Sequence, residues 1–271
     1  MSDNNNQDAK TNLTFLEHLE ILRKHIIRSL ISVIVFALLA FFFKEIIFDY
    51  IILAPKSPEF ITNKLLCILG TKYNISNLCL NSEYFEIINI KMSGQFAIHI
   101  QISMYAGVII SSPYIFFELW RFIKPALYEN EKRKVGKAVF YSSLLFFLGV
   151  LFGYYILAPI SVSFFGSYTV SKQVVNQINL ESYISIVNSV TLASGIIFEL
   201  PILIYLLSKL GMITPEFLRK NRKYAIVIIL IVAAIITPPD VFSQILVSIP
   251  LIVLYEIGIV ISKRVTRKNK N

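Results

Sequence analysis

The stretch Ser111–Lys137, SSPYIFFELWRFIKPALYENEKRKVGK, is an island of charged and aromatic residues between two long apolar runs. Its charged side chains are Arg121, Lys124, Lys132, Arg133, Lys134 and Lys137, together with Glu118, Glu129 and Glu131. One interpretation is a solvated basic loop that joins two helices. The other is a binding surface whose carboxylates receive a cationic partner, framed at headgroup depth by the amphipathic rings of Trp120, Phe122 and Tyr128.

Composition places the chain in a membrane. It has 271 residues, 55% of them hydrophobic, and a mean hydropathy of +0.65. A soluble domain of this length is not so apolar, and several runs approach or exceed the ~20 residues that cross a ~30 Å hydrocarbon core. These observations predict an all-α, polytopic membrane protein. The formal charge of +9 then bears on topology first, and nucleic acid is not expected as a partner.

Six spans are predicted, at about residues 26–43, 92–117, 138–158, 183–207, 224–236 and 241–261. They belong to a single membrane domain, residues 13–263, which a basic tail, residues 264–271, follows. Residues 1–12 are polar and Asn-rich, and we expect them to be disordered; they lack the basic region and apolar core of a cleavable signal peptide. The fifth span gives only about 20 Å of helix, less than the hydrocarbon thickness.

Basic residues are distributed unevenly along the chain. The N-terminal region, the loops after the second and fourth spans, and the tail together hold 20 of the 26 Lys and Arg residues. By the positive-inside rule these segments are cytoplasmic, so both termini are expected in the cytoplasm. The segments 44–91 and 159–182 are then loops on the outer side.

The N-terminal segment Thr14–His25 has the pattern of an amphipathic helix. Thr14 and Glu17 have the spacing of a capping box, and Glu20 and Lys24 form an i,i+4 pair in the favourable order. This helix is predicted to lie in the membrane interface and to lead into the first span.

The only two cysteines, Cys67 and Cys79, lie in the first outer loop. Outside the cytoplasm a disulfide is permitted there, and closing a loop of about a dozen residues would contribute about 3 kcal/mol in the chain-entropy model. The spacing leaves both alternatives open, a bridge and two free thiols.

Two features inside the predicted spans stand out. Gly149 and Gly153 form a small-xxx-small pair that allows another helix to approach closely. Glu199 lies in the fourth span, where a carboxylate costs roughly 2.5 to 3.5 kcal/mol even on the lenient insertion scale. Pro201 is expected to bend the helix close to this carboxylate. One interpretation is a functional polar site that faces a wet cavity, and the other is a structural glutamate that a neighbouring helix satisfies.

Enzyme chemistry has little support. The sequence contains no P-loop, HExxH, GxSxG or CxxC motif and no nucleophile–base pairing, and its three histidines are too dispersed for a metal site. We therefore expect neither a catalytic residue, nor a metal, nor a cofactor. One alternative function stays open, a proton-coupled secondary transporter that uses Glu199 as its relay.

Several motifs resemble one family. They are HLEILR at 18–23, PYIFFELWRFIKPALYENEKR at 113–133, FELP at 198–201, LRKNRKY at 218–224 and TPPDVFSQILVSIP at 237–250, followed by YEIG. With them the chain resembles TatC, the signal-receptor and core subunit of the twin-arginine protein translocase, over nearly all of residues 14–263. The outer loop 56–91 looks longer than is usual in that family and matches it poorly.

The resemblance implies six helices in a concave, glove-like bundle in the cell inner membrane. It implies that the chain binds twin-arginine signal peptides at its cytoplasmic face, partners the single-span subunits TatA and TatB, self-associates in a multimeric complex, and serves transport of folded proteins powered by the protonmotive force. An organellar membrane is the alternative, because the Asn-, Lys- and Ile-rich composition is typical of an AT-rich genome.

Site residues follow from the matched motifs. For signal-peptide binding they are Glu131, Glu20, Glu17, Arg23, Phe122, Pro125, Leu127 and Tyr128; the intramembrane polar site is Glu199; and the contacts to partner subunits are Thr237, Asp240 and Gln244. One position departs from the family, which usually has glutamate where this chain has Ile21. Glu20, which lies about 100° away around the helix, or Glu17 would have to substitute.

These residues give a mechanistic hypothesis in three parts. Glu131, with Glu20 or Glu17, pairs with the two arginines, because a carboxylate accepts a guanidinium fork in a bidentate manner. The apolar segment of the signal then lies along the cavity near Glu199. The short fifth helix locally thins the bilayer.

Overall fold

The computed structural model describes residues 15–72, 85–126, 135–171, 173, 176–237 and 241–270. The expected all-α class is confirmed. The α-helices are α1 Phe15–Phe42, α2 Ile61–Lys72, α3 Gly94–Ile123, α4 Val135–Phe152, α5 Ala158–Ser167, α6 Leu180–Ile197, α7 Leu200–Lys209, α8 Pro215–Lys220, α9 Arg222–Ile236 and α10 Val241–Lys270. Shorter elements are the π-helical segments Ile46–Ile52 and Gly153–Leu157, the 3₁₀ turns Ala54–Lys56 and Lys124–Ala126, and the strands β1 Glu86–Ile88 and β2 Gln177–Asn179.

Among the described residues, five helical stretches are long and apolar enough to cross a membrane: Leu19–Phe42, Gly94–Ile123, Val135–Ser167, Leu180–Lys209 and Gln244–Arg267. The predicted fifth span corresponds to α9, whose 15 residues are fewer than those of any of these stretches. The count of six spans therefore stays a prediction, whereas a multi-pass membrane protein is established by the five.

Helices α1 and α3 form a long antiparallel pair. The start of α1 meets the end of α3 where His25 contacts Glu118. At the other end, His99 of α3 bonds the carbonyl of Phe41 at 3.0 Å and stacks on its ring. We call the end of the bundle at His25 and Glu118 the N-terminal face, and the end at Phe41 and His99 the cap face.

Helix α4 and the π-helical segment that follows it pack closely on α6 through the predicted glycine pair. A Cβ atom at Gly149 would lie 2.5 Å from the carbonyl oxygen of Ser194, and one at Gly153 would lie 2.8 Å from the Cα of Thr191. The absence of side chains at these two positions therefore sets the helix spacing, as the small-xxx-small motif predicts.

The helix is interrupted beside Pro201, where the sequence predicts a bend. α6 ends at Ile197 and α7 begins at Leu200, with Glu199 at the N-cap position between them. The proline has no N–H for the bond that would continue the helix. The carbonyl of Glu199 instead accepts bonds from the backbone N–H groups of Ile202 and Leu203 at 2.9 and 3.0 Å.

Three segments predicted as loops are partly helical, which corrects the sequence interpretation. The segment 44–91 contains α2 and β1, and the segment 159–182 opens with the rest of α5. α3 continues through Glu118 and Arg121 to Ile123, although their charges predicted an end near residue 117. β1 and β2 pair in parallel, with Ile87 opposite Ile178, and so join the two segments on the cap face.

Candidate functional site at the N-terminal face

A buried carboxylate connects the two helices of the N-terminal face. Glu118 lies in the penultimate turn of α3 and is only 2% exposed. The His25 Nδ1–H of α1 donates a hydrogen bond to its Oε2 atom. Because each partner stands on a different helix, this bond fixes the first turns of α1 beside the last turns of α3.

Two arginines complete the surroundings of this carboxylate. Arg28 Nη1 lies 4.0 Å from Oε2, and Arg121 Nη1 lies 3.8 Å from Oε1. Both arginine side chains are about half exposed, so their guanidinium groups reach solvent while the carboxylate stays buried. Both Glu118 oxygens thus already have cationic neighbours from the chain itself, and the group acts as a tie between α1 and α3 rather than as an open acceptor.

Exposed side chains lie next to this tie. Glu20 pairs with Lys24 at 2.9 Å, as the i,i+4 spacing predicts, and both side chains are 63% exposed. Arg23 is exposed on the same helix. Such an exposed pair is weak, so Glu20 can exchange Lys24 for another cation at little cost.

Of the rings predicted to frame the site at headgroup depth, Trp120 does not do so, because it is only 2% exposed and its indole N–H is buried between helices. Phe122 is half-buried, and its ring meets the His25 ring edge-on at 6.0 Å. Pro125 is exposed in the 3₁₀ turn directly after α3. The other predicted members of the site, Leu127, Tyr128 and Glu131, and the side chain of Glu17, lie outside the described residues, so their roles stay predictions.

Glu199, the predicted intramembrane site, is linked to α3 by a chain of side-chain contacts that passes through α4. Glu199 is half-buried and lies beside Ser142 and the backbone of Phe146 on α4. The Ser142 hydroxyl accepts a bond from the indole N–H of Trp120 on α3 at 3.1 Å. Within the described part of the chain, Glu199 Oε1 has no hydrogen-bond partner. Its neighbours therefore leave acceptor capacity for a further donor.

The hairpin between α9 and α10 uses its polar side chains internally. The Thr237 hydroxyl donates to the carbonyl of Ala233 at 2.9 Å, and Gln244 Nε2 donates to the carbonyl of Leu230 at 3.2 Å. The third residue predicted to contact a partner subunit, Asp240, lies outside the described residues. The contact of these residues with partner subunits stays a prediction.

The remaining predictions concern cysteines and metals. Cys67 is half-buried on α2 and disulfide-bonded, whereas Cys79 lies outside the described residues, so the pairing itself stays a prediction. In the described ranges no group of three or more His, Cys, Asp or Glu side chains could hold a metal ion.

Sequence reasoning missed the importance of His25 and Glu118. Tyr114, Glu118 and Phe122 recur every four residues, which places them on one face if the helix continues that far. The second span was predicted to end near Phe117, so this register was not followed. Only the fold reveals the His25 partner, which stands 93 residues earlier in the chain.

Comparisons with known proteins agree on one family. A family model described as Sec-independent protein translocase protein (TatC) matches residues 17–250. The TatC protein of Blattabacterium sp. subsp. Periplaneta americana is 41% identical over 267 residues, which cover 97% of this chain and 99% of the relative. The chain is also similar to two crystal structures of the twin-arginine translocase receptor TatC. The first has 37% identity and a TM-score of 0.66, and the match covers 92% of this chain and 100% of that one. The second, in DDM, has 38% identity and a TM-score of 0.68, with 90% and 98% covered. The chain belongs to the TatC family of Sec-independent protein translocase proteins.

Proposed function

We propose that this chain is the signal-receptor subunit of a twin-arginine translocase in a cell inner membrane, with the N-terminal face in the cytoplasm. Its partners would be TatA- and TatB-like single-span subunits and further copies of itself, and the cargo would be folded proteins moved by the protonmotive force. Membership of a translocase family does not favour the alternative, a proton-coupled transporter.

The observation that carries the proposal is the tie between α1 and α3. Because Glu118 holds the two helices side by side, the end of α1 that bears the exposed Glu20 and the exposed turn Lys124–Pro125 after α3 form one continuous surface. The segment that bears Glu131 follows directly after Pro125. A signal peptide could therefore meet Glu131 and an α1 carboxylate at the same time.

The helical register of α1 suggests which second carboxylate takes part. Glu20 lies about 140° around the helix from His25, whereas position 17 lies about 80° from it. His25 points to α3, so position 17 is nearer to the α3 side of α1. We therefore favour Glu17 over Glu20 as the substitute for the family glutamate at position 21.

Peptide binding tests the proposal. The full chain in nanodiscs is titrated with a fluorescent signal peptide that carries Arg-Arg or Lys-Lys. We expect Glu131→Gln to weaken Arg-Arg binding at least about tenfold, because removing one partner of a close charge pair commonly costs 2 kcal/mol or more. Glu129→Gln is the matched control in the same segment. Equal binding of both peptides, or equal effects of both variants, would overturn the proposal.

The same titration separates the two α1 carboxylates. Glu17→Gln should weaken Arg-Arg binding severalfold, and Glu20→Gln should change it little. If Glu20→Gln weakened binding more than Glu17→Gln, the second carboxylate would be Glu20 and not Glu17. The proposed role of Glu131 would be unaffected.

Glu199 supplies the second part of the proposed mechanism. The apolar segment of the signal would lie along the bundle beside this residue, where the orphaned Oε1 atom can accept a bond from an entering backbone or side chain. A crosslinker placed in the apolar segment of a bound Arg-Arg peptide should then react near Ser142 and Glu199. Crosslinks confined to α1 would contradict this path.

Local thinning of the bilayer is the third part. Arg222 at the start of α9 pairs with Glu256 of α10 at 2.5 Å, so these charges stand at one level. From that level to the hairpin both helices rise by only about 22 Å, against about 30 Å of hydrocarbon. Electron-microscopy density of nanodiscs should show a thinner bilayer beside α9, and uniform thickness would contradict this part.

A further inference from the structure

Helix α2, in the cap-face segment, is fixed to the bundle by one side. Asn63 is 3% exposed, and its Nδ2 atom donates to the carbonyls of Pro55 and Ser57 at 3.2 and 2.8 Å. The Thr62 hydroxyl donates to the carbonyl of Tyr155. Cys67, one turn after Asn63, is disulfide-bonded. The inward side of α2 therefore has a defined position.

The opposite side of α2 is an exposed apolar stripe. Ile61, Leu65 and Ile68 are 61%, 55% and 62% exposed. Positions 61, 65 and 68 fall within an arc of about 60° on a helix of 3.6 residues per turn. Lys72 continues this arc and Lys64 borders it, and both lysines are exposed. The pattern of an apolar stripe bordered by lysines is typical of a helix that lies in a membrane interface.

The depth of α2 agrees with such a position. Tyr155, which holds Thr62, follows Lys137 by 18 residues along one helical stretch, or about 27 Å at 1.5 Å per residue. That distance nearly spans the hydrocarbon core of about 30 Å. Phe60 packs its ring against those of Tyr154 and Tyr155, with centroids 5.6 and 5.5 Å apart. Clustered aromatic rings of this kind mark the border between hydrocarbon and headgroups.

We propose that α2 is a lipid-binding anchor that lies in the headgroup region of the leaflet on the cap side. Ile61, Leu65 and Ile68 enter the acyl border, and Lys64 and Lys72 bind lipid phosphates, since a lysine can extend its ammonium from an apolar surface to the headgroups. The anchor does not depend on signal-peptide binding. Three side chains present far less area than the roughly 800 Å² per partner of a stable protein interface, so the occupant is lipid rather than protein.

Spin-label accessibility tests the anchor in the full chain in anionic nanodiscs of phosphatidylglycerol. A thiol-specific label is attached at Leu65→Cys and, as a second position on the stripe, at Ile68→Cys; disulfide-bonded Cys67 does not react. Matched controls are Leu38→Cys, 58% exposed one turn before the cap-face end of α1, and Val170→Cys, 88% exposed on the cap face. We expect both stripe labels to be as accessible to oxygen as the α1 label, and severalfold less accessible to a water-soluble nickel complex than the Val170 label.

Each other outcome contradicts the proposal. Nickel accessibility equal to that at Val170 would place the stripe in water. Protection from both oxygen and nickel would place it against protein, such as a second copy of the chain.

A lysine variant tests the phosphate contacts separately. With the label at Leu65→Cys, the double substitution Lys64→Gln, Lys72→Gln should raise nickel accessibility in phosphatidylglycerol and change it less in phosphatidylcholine. Unchanged nickel accessibility of this label in phosphatidylglycerol would show that the lysines do not bind lipid phosphates. Lys24→Gln, on the N-terminal face, is the control for a loss of positive charge alone.

Discussion

Glu118 shows how a single residue can set the arrangement of two helices. It is almost fully buried and contacts one histidine and two arginines. Removing the carboxylate would leave these bases close together without a counter-charge. Breaking a buried pair in this way typically costs about 3 to 5 kcal/mol.

We therefore expect Glu118→Ala to be strongly destabilising. Thermal unfolding of the protein in mild detergent should begin at a clearly lower temperature, whereas Glu20→Ala, which removes an exposed partner of Lys24, should change stability by less than about 1 kcal/mol. A double-mutant cycle of Glu118→Ala with His25→Ala should show coupling between the two sites. Equal effects of Glu118→Ala and Glu20→Ala would contradict the role of the tie.

Trp120 is the only tryptophan in the chain, so its fluorescence reports on the bond to Ser142. Ser142→Ala removes the acceptor of the indole N–H, a group that normally has a partner when buried. The emission should move to shorter wavelength. Ser143→Ala is the matched control, because the Ser143 hydroxyl bonds the carbonyl of Val139 on its own helix. Unchanged emission in Ser142→Ala would show that the bond does not form.

For helices and strands, features that depend on neighbouring residues could be predicted from the sequence, and contacts between residues far apart in the chain could not. A bend beside Glu199 follows from Pro201 alone, although the structure shows a full interruption there, and the close approach at Gly149 and Gly153 follows from their spacing. The second span was predicted to end near residue 117, and α3 itself continues to Ile123. Two of the cationic neighbours of Glu118, His25 and Arg28, stand on α1, and no local pattern joins them to it. Helix α2 was missed because a loop of mixed sign gives no periodic signal strong enough to identify twelve helical residues.

Gly149 of α4 faces α6 and Gly136 of the same helix does not, so these two glycines give a matched pair of substitutions. Gly149→Ala should destabilise the protein by about 1 to 3 kcal/mol, because the added methyl group meets backbone atoms of α6 that cannot move aside. Gly136→Ala should be neutral or stabilising by up to about 1 kcal/mol, since open space surrounds that position. Thermal unfolding of both variants measures the difference. Equal stabilities would contradict the close packing of α4 and α6.

For the whole molecule, composition alone identified the membrane class, and the motifs identified the family. The uneven distribution of lysines and arginines predicted which segments share one side of the membrane. The fold brings two of these basic segments, the start of α1 and the end of α3, together at the N-terminal face. What the sequence did not specify is the cap face, where β1, β2 and α2 join two segments separated by about ninety residues. Parallel pairing of two three-residue strands depends on helices that bring them together, so it has almost no local signal.

The sidedness of the chain is a property of the whole molecule, and α9 decides it. α9 is short. It begins at the depth of Glu256, where Arg222 pairs with that residue, and runs beside α10 to the hairpin that joins the two helices. α10 itself contains a stretch long enough to cross the membrane. We therefore expect α9 to cross, which makes the number of crossings even. In sealed vesicles, an impermeant maleimide should modify Lys24→Cys and Arg264→Cys from the same side and Val170→Cys from the other. The basic side should be cytoplasmic, because it holds most of the lysines and arginines. Modification of Lys24→Cys and Arg264→Cys from opposite sides would mean that α9 does not cross and that the chain has five spans.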